Sequence, residues 1–321
     1  MGVNLRDIFV AHGVPEGWYE GKRIAVDGHN VAFRYLASYR SRDGSGDVLR
    51  NADGRPIGHL NGYLNLVRHL RERGAEPVVV WDGDVHPRKR ATVEERITRR
   101  VEAALNAEDA LAAGDLEAHR RFVRATTYID AGMIRDCTRL LESLGVAVVR
   151  ADHDAERYAA ALCRAGITDA VATEDYDALV AGAPTVLRKA GSPEPFLHHL
   201  SDLESHGLTP EQLRWVAILC GTDWHPGVKG LGAKTAVKLL KEHPDMRTLL
   251  REANSGAGTT RYHRLLREAA LSDDEFAALD EFIARLPEVR PPALPRPDPA
   301  LAAGVAQEWG LDRKRTLACF C

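Results

Sequence analysis

The segment 170–184, AVATEDYDALVAGAP, most constrains how this chain can fold. Its run of small and β-branched residues predicts a short buried strand that delivers Asp175 and Asp177 at its end. Two carboxylates at the edge of a core cost desolvation and repel each other, and a metal ion is the usual counter-charge. The alternative is that the acids mark a turn and cap a helix that begins near Ala178. This segment alone leaves both interpretations open.

The same pattern recurs elsewhere in the chain, where predicted strands lead into acids. These are 22–27 (KRIAVD) with Asp27, 76–82 (EPVVVWD) with Asp82, and 146–150 with Asp154 and Glu156 after it. The last two acids open a helix, where they would also complement the helix dipole. Because ligands of open parallel α/β sheets bind beyond the carboxyl ends of the strands, the pattern predicts an α/β fold with an acidic site at that edge.

Composition limits the class of protein. The chain has 321 residues, a net charge of -3 and 28% charged residues, so bulk charge does not indicate nucleic-acid binding and any basic surface must be local. Five cysteines without CxxC or Cys/His spacing indicate neither a disulfide framework nor a zinc site. With no long apolar run and no signal-peptide pattern, we expect a soluble intracellular protein with no membrane partner.

A basic segment follows the second predicted strand. Residues 86–100, HPRKRATVEERITRR, carry six Arg or Lys, and a helical pattern continues to about 124 with a break at Gly114. Lys89 and Arg96 are seven residues apart, so they share one helix face. Beside an acidic cluster such a ridge could hold a phosphate, although a charge run is also typical of a solvated helix face.

From residue 201 onward the sequence pattern predicts mainly helices joined by turns. The segment 221–243, GTDWHPGVKGLGAKTAVKLLKEH, supplies Asp223 and then a glycine-rich turn before a helix. Gly230 and Gly232 allow a sharp turn, and the helix amides with Lys234 would bind an anion such as a DNA phosphate. The alternative is an ordinary helical hairpin with capping glycines.

Seven acids are too many for one acid–base pair, but they suit two hard divalent cations that retain waters. Two such metals are the standard device for in-line attack on a phosphodiester. The seven acids are Asp27, Asp82, Asp154, Glu156, Asp175, Asp177 and Asp223.

The order of the motifs resembles the flap endonuclease family, the structure-specific 5′ nucleases that include the xeroderma pigmentosum G-type nucleases. The resemblance covers residues 2 to about 290 and runs through MGVNL, IAVDGHN, VVVWDG, the basic segment, VVRADHDAE, AVATEDYDALVAGAP and GTDWHPGVKGLGAKTA. It implies a PIN-like α/β fold with a mostly parallel central sheet, a helical arch and a C-terminal helix-hairpin-helix region. It also implies a nuclease core over 1–200 with the arch at about 84–128, a DNA-binding region over 201–290, and a linker with a short helical tail over 291–321.

The resemblance assigns roles residue by residue. The seven acids match the family's ligands for two Mg²⁺ ions, for which Mn²⁺ would substitute. The helix-hairpin-helix region would hold a K⁺ ion. Lys89 and Arg96 match catalytic arch residues that contact the scissile phosphate. The residues expected to bind DNA are Gly2, Phe33, Arg88, Arg90, Gly230, Gly232 and Lys234.

The chain departs from the family pattern at two places. Asp154 stands where the family has Glu, so a metal-bound water is expected to fill the gap and Asp154 to act from behind it. The tail RTLACFC has Lys314 where Gln is expected and Cys321 where an aromatic is expected. A sliding clamp is therefore a candidate partner whose binding tail is degenerate or absent.

The predicted function is a Mg-dependent 5′ flap endonuclease and 5′–3′ exonuclease that acts on branched DNA in replication and repair. We expect a monomer that is cytoplasmic and nucleoid-associated in a prokaryote, or nuclear in a eukaryote. A nuclease of the same superfamily that cleaves Holliday junctions or bubbles would share the active site. A PIN-type ribonuclease would lack the arch and the hairpin, and a non-catalytic scaffold should have lost some of the acids.

Overall fold

The computed structural model describes residues 3–41 and 47–320. Within these residues a seven-stranded sheet has the order β1-β7-β6-β5-β2-β3-β4. Strands β6, β5, β2, β3 and β4 are parallel, whereas β7 is antiparallel to both β6 and β1. The strands are β1 (His12–Gly13), β2 (Arg23–Asp27), β3 (Glu76–Trp81), β4 (Ala147–Arg150), β5 (Ala170–Ala172), β6 (Thr185–Arg188) and β7 (Phe196–His199). The mostly parallel sheet confirms the predicted α/β class.

The strands are apolar on both faces because helices cover both sides of the sheet. Ala25 and Val78 point into one core with the helices that lie between residues 155 and 284, whereas Ile24 and Val79 point into the other core. The helices up to residue 164 are α1 (Gly28–Ser38), α2 (Gly58–Arg71), α3 (Arg90–Ala112), α4 (Leu116–Ala125), α5 (Ala131–Ser143) and α6 (Ala155–Arg164). Those that follow are α7 (Asp177–Val180), α8 (Pro210–Cys220), α9 (Ala233–Glu242), α10 (Met246–Ser255), α11 (Arg261–Glu268), α12 (Asp273–Ala284), α13 (Pro299–Trp309) and α14 (Arg313–Leu317). Short 3₁₀ turns cover Pro87–Lys89, Leu200–His206 and Ala318–Phe320.

Helices α3 and α4 form a hairpin that projects from the carboxyl edge of the sheet. Ala103, Ala107 and Ala110 are the buried residues of α3, and these small side chains allow α4 to pack closely. His119 Nδ1 lies 2.8 Å from the Ala107 carbonyl and links the two helices. The hairpin turns at Gly114, whose φ of +74° suits glycine, as the predicted break required.

The C-terminal segment folds back on the nuclease core. Residues 285–298 have no regular secondary structure. Helix α13 then packs against α5 and α14, and the 3₁₀ turn Ala318–Phe320 packs against α2. Trp309 is buried and its ring lies 4.1 Å from the Arg55 guanidinium carbon. Arg71 Nη1 donates to the Cys319 carbonyl at 2.8 Å, and the Cys319 thiol donates to the Leu64 carbonyl. The helical tail therefore contributes to one of the two cores.

No helix in the described part of the chain is long and apolar enough to cross a membrane.

Candidate active site

Asp27 is the last residue of β2 and lies at the centre of the carboxyl edge of the sheet. Its side chain accepts a hydrogen bond from the Asn30 amide at 3.1 Å and thereby caps α1. The Thr173 hydroxyl donates to its other oxygen at 3.1 Å. Asp27 is buried, so these two bonds hold a carboxylate that has almost no contact with solvent.

Asp82 follows β3, the neighbour of β2, so its carboxylate comes to the same edge. One of its oxygens accepts from the Ala155 amide at 2.7 Å, and the other lies 3.1 Å from His29 Nδ1. Gly83 then runs so close to the chain after β4 that a Cβ there would lie 2.0 Å from the Ala151 carbonyl oxygen. Glycine is thus required where the end of β3 meets the segment between β4 and α6.

Asp175 and Asp177 follow β5, on the other side of β2. Asp175 accepts from the Asn30 side-chain amide at 2.9 Å, and Asp177 accepts from the Val3 amide at 3.4 Å. Neither acid caps α7, because the residue at the capping position is Tyr176 and no side chain makes a capping bond there. The alternative interpretation, helix capping, does not account for this pair.

Asp154 and Glu156 lie at the start of α6. Asp154 occupies the N-cap position but its carboxylate makes no capping bond, and its Oδ1 lies 2.5 Å from Lys89 Nζ. Glu156 lies in the first turn of the helix and accepts no hydrogen bond from any described residue. The helix-dipole interpretation alone does not explain why Asp154 turns to a lysine of another element.

Asp223 comes from the loop after α8 and completes the group beneath α3. Arg96 Nη2 lies 2.7 and 2.9 Å from its two oxygens, and Lys89 Nζ lies 3.7 Å from one of them. The Thr92 hydroxyl donates to the Asp223 carbonyl at 2.9 Å. Lys89 and Arg96 thus share the face of the basic segment that looks onto the acids, as the seven-residue spacing predicted.

The acids perturb one another strongly. Burial and then the neighbouring Asp82 raise the pKa of Asp27 to about 8, and burial and then Asp175 raise the pKa of Asp177 to about 7. Burial and then Asp27 raise the pKa of Glu156 well above its ordinary value. For Asp223 the effect of burial is outweighed by Lys89 and Arg96, which lower its pKa.

Lys89 is the main counter-charge of the group. Burial acts to lower its pKa, but Glu156, Asp154 and Asp223 together raise it, so the ammonium stays charged. Among the described residues, no three His, Cys, Asp or Glu side chains already form a group that could hold a metal ion. The oxygen donors nevertheless fit hard divalent cations, because buried carboxylates with raised pKa values, such as Asp27, favour added positive charge.

The residues predicted to bind DNA lie around this group or beyond it. Phe33 is 46% exposed on α1, and both Arg88 and Arg90 are exposed at the base of α3. Gly2 lies outside the described residues. The remaining three are in the glycine turn, treated next.

The glycine turn precedes α9. Gly230 has a φ of +89°, and Gly232 is the N-cap residue of α9 with no side chain to satisfy the helix amides. Lys234 is exposed and its Nζ lies 3.2 Å from an Asp7 oxygen. Free amides at a helix start beside an exposed lysine are suited to a phosphate group.

Three functional neighbours were missed by the sequence reasoning. Asn30 links two strand ends, since its backbone amide binds Asp27 and its side chain binds Asp175. His29 contacts Asp82. His29 lies in the motif IAVDGHN and Asp82 lies in VVVWDG, so these two motifs were the signal that the sequence offered. No feature of the sequence indicated Arg157, which lies 3.9 Å from Asp154. Its position in the sequence is typical of the solvent-facing side of an amphipathic helix.

A mostly parallel sheet with an acidic carboxyl edge beneath a basic helical hairpin defines a PIN-like nuclease. The family model of the XPG N-terminal domain matches residues 7–103, and that of the XPG I-region matches residues 145–223. Flap endonuclease 1 of Methanothermobacter thermautotrophicus is 33% identical over 282 residues, which cover 85% of each chain. The chain belongs to the flap endonuclease and XPG family.

Solved structures agree with this fold. Flap endonuclease-1 from Methanococcus jannaschii superposes with a TM-score of 0.73 at 27% identity, covering 99% of this chain and 96% of that one. The catalytic core of Rad2 in complex with DNA substrate gives 0.71 at 18% identity, covering 98% and 96%. At 18% identity the second likeness supports the fold alone.

Proposed function

We propose that this protein is a structure-specific 5′ flap endonuclease and 5′–3′ exonuclease that hydrolyses DNA phosphodiesters at branched junctions. The observation that carries the proposal is the acidic edge, where Asp27, Asp82 and Asp175 come from three neighbouring parallel strands. Beside them Asp154 and Asp223 contact Lys89 and Arg96. Relatives that match most of the chain are flap endonucleases. Such an enzyme would serve DNA replication and repair, at the nucleoid of a prokaryote or in a eukaryotic nucleus.

The acids are proposed to hold two Mg²⁺ ions, for which Mn²⁺ would substitute. When bound, these ions would supply the charge that activates the attacking water and stabilises the leaving oxygen. Asn30 and His29 would orient two of the carboxylates by the contacts described above. The proposed ligands are Asp27, Asp82, Asp154, Glu156, Asp175, Asp177 and Asp223, with Asp154 acting through a bound water.

Lys89 and Arg96 are proposed to neutralise the scissile phosphate. Both cations are partnered by Asp154 and Asp223 in the DNA-free protein, so a phosphate entering the site would replace one set of anionic partners with another. The ammonium and guanidinium groups remain paired throughout, whereas the released carboxylates would need the proposed metal ions as their new counter-charge. The exchange also keeps the two cations aimed at the position where charge grows during cleavage.

The remaining contacts would bind the duplex and the displaced strand. Phe33 offers an exposed ring on which a base can stack, and Arg88 and Arg90 are exposed on either side of Lys89 in the chain. Gly230, Gly232 and Lys234 would bind a backbone phosphate, with a K⁺ ion at the same turn. Gly2 is proposed to lie near the substrate on the family resemblance alone.

Three functional parts are proposed: a nuclease core over 1–200, a DNA-binding region over 201–290 and a C-terminal segment over 291–321. We expect the protein to act as a monomer that binds branched DNA with a 5′ flap. The burial of Thr316 and Cys319 argues against a sliding clamp as a partner through the tail, because those residues would have to leave the core to be recognised.

A single cleavage assay tests the proposal. Labelled 5′ flap, nicked, Holliday-junction and single-stranded RNA substrates are each incubated with the protein in Mg²⁺ or EDTA, with Asp177→Asn as the matched inactive control. We expect cleavage of the 5′ flap in Mg²⁺ only. Faster cleavage of the Holliday junction or of RNA would overturn the substrate assignment while leaving the nuclease assignment in place.

A further inference from the structure

Arg157 is a buried cation that joins the nuclease core to the C-terminal helices. It lies on α6 and is 8% exposed. Its Nη2 donates to the Phe282 carbonyl at 2.6 Å and also to the Arg285 carbonyl. Its guanidinium carbon lies 4.0 Å from the centre of the Phe282 ring. Arg157 therefore fixes the end of α12 against the helix that carries Asp154 and Glu156.

Arg157 also faces Asp154, which lies between two cations. Its Nη1 is 3.9 Å from Asp154 Oδ2, while Lys89 Nζ is 2.5 Å from Asp154 Oδ1. Asp154 Oδ2 accepts no hydrogen bond from any described residue, so the attraction to Arg157 is purely electrostatic. Because both side chains are buried, solvent and salt screen this attraction little, and cations on opposite oxygens fix the orientation of the carboxylate.

The Phe282 ring links Arg157 to the base of the helical hairpin. Its centre lies 4.6 Å from the His86 ring and 5.5 Å from the Trp224 ring. His86 caps the 3₁₀ turn Pro87–Lys89, and Lys89 Nζ lies 5.2 Å from the Trp224 ring. Movement of Phe282 would therefore disturb both the turn that carries Lys89 and the ring beneath its ammonium.

We infer that Arg157 is a positioning residue for Lys89. It orients Asp154, which holds the Lys89 ammonium, and it holds Phe282 beneath the turn that carries Lys89. The inference rests on the proposed role of Lys89 at the scissile phosphate. The competing explanation is that Arg157 only satisfies two backbone carbonyls and affects activity through stability.

Two substitutions separate these explanations. Arg157→Met keeps an apolar stem over Phe282 but removes the charge that faces Asp154. Arg157→Lys keeps the charge but cannot reproduce the forked guanidinium donation to both carbonyls. Arg164→Met, an exposed position two turns along the same helix, is the matched control. Each variant is made in the wild-type and Lys89→Ala backgrounds. Three quantities are measured for each: the single-turnover rate of 5′ flap cleavage, the Kd for flap DNA and the thermal midpoint of unfolding.

We expect Arg157→Met to slow cleavage by about 10 to 100-fold, the usual loss when an orienting group is removed, with an unchanged Kd. In the Lys89→Ala background the same change should cost clearly less than in wild type, because the group that Arg157 positions is already absent and only the orientation of Asp154 remains to be lost. Arg157→Lys should keep most of the rate despite a lower thermal midpoint.

Equal losses from Arg157→Met in both backgrounds, or an Arg157→Lys variant as slow as Arg157→Met, would overturn the inference and leave the role of Lys89 intact. A Lys89→Ala protein that cleaves at the wild-type rate would overturn the role of Lys89 itself, and the inference with it.

Discussion

Lys89 Nζ lies 2.5 Å from Asp154 Oδ1, so the base of the helical hairpin is held by the acid that departs from the family pattern. The two groups come from a 3₁₀ turn after β3 and from the start of α6. The shorter side chain of Asp154 is thus engaged by a cation of the chain itself. This contact agrees with the hypothesis that Asp154 acts from behind a metal-bound water rather than as a direct ligand.

The first prediction distinguishes these two roles of Asp154. Asp154→Ala should reduce the single-turnover rate by about 10 to 100-fold, the usual cost of losing an orienting group. Asp175→Ala should be clearly more damaging, because Asp175 follows β5 directly and is a proposed direct ligand. Asp154→Glu should be tolerated, since the longer acid can displace the water. Equal inactivity of Asp154→Ala and Asp175→Ala, with a crippled Asp154→Glu, would make Asp154 a direct ligand.

The second prediction concerns the basic face of α3. Lys89→Ala should slow cleavage by roughly 10² or more, because removing one electrostatic group at a reacting centre costs about 2.7 to 4 kcal/mol of transition-state stabilisation. Arg99→Ala is the control, since Arg99 is 59% exposed and pairs with Glu95 on its own helix. Similar single-turnover rates for the two variants would mean that the segment is only a general DNA-attracting surface.

The third prediction separates chemistry from DNA binding. Asp177→Ala or Asp82→Ala should abolish cleavage while the Kd for flap DNA stays within a few-fold of wild type. Removing a carboxylate lowers repulsion toward phosphate, and the proposed duplex contacts lie elsewhere. Fluorescence anisotropy in Ca²⁺ and single-turnover cleavage in Mg²⁺ measure the two quantities. Near wild-type cleavage by either variant at saturating enzyme would remove that acid from the proposed ligand set.

The parallel strands could be predicted because each is a short apolar run between turn residues, a signal that is local in sequence. Strands β1 and β7 could not be predicted. They are strands whose pairing, such as His12 with Leu197, joins positions far apart in the chain. The amphipathic pattern over 128–144 extends further back than α5, which begins at Ala131 because the Asp130 side chain accepts from the Met133 amide and starts the helix there.

The acids of the site were predictable because placing carboxylates at the ends of buried strands costs desolvation free energy. Their presence there therefore indicates a functional site. Their counter-ions were only partly predictable. The spacing of Lys89 and Arg96 places both on one helix face, but not which acid each contacts. Arg157 was missed because its burial depends on Phe282 and Arg285, more than a hundred residues away.

The fourth prediction concerns the C-terminal segment. Trp309 is buried between the Arg55 guanidinium and the core, so Trp309→Ala should cost about 3 to 5 kcal/mol of unfolding free energy. This corresponds to a fall in Tm on the order of 10 °C. Leu301→Ala, at a 43% exposed position on the same helix, should change Tm little. Calorimetry measures both, and an unchanged Tm for Trp309→Ala would mean that the segment does not stabilise the core.

The last prediction follows from the crowding of the acids. Burial and Asp82 raise the pKa of Asp27 to about 8, and burial and Asp175 raise that of Asp177 to about 7. In the unfolded chain both would titrate near their ordinary value of about 3.9. Between these limits the folded protein binds more protons than the unfolded chain does, so its stability must fall as the pH rises. Stability from these groups is fully present below about pH 4 and is lost as the pH passes about 8.

Without divalent metal, the Tm should therefore decrease as the pH rises from 6 to 8.5. Each proton that the folded protein binds and the unfolded chain does not makes the unfolding free energy fall by about 1.4 kcal/mol for every pH unit. Asp27→Asn should raise the Tm at pH 8 by a few degrees and flatten the slope, because the amide needs no proton to remain neutral in the core. Asp53→Asn, an exposed acid paired with Arg55 at the surface, is the control and should leave the slope unchanged.

Added Mg²⁺ should reverse the loss in wild type more than in Asp27→Asn, since metal binds the ionised acids. Scanning calorimetry in EDTA and in Mg²⁺ measures all of these, and a wild-type Tm in EDTA that stays flat or rises between pH 6 and 8.5 would show that the acids are not crowded in the folded protein.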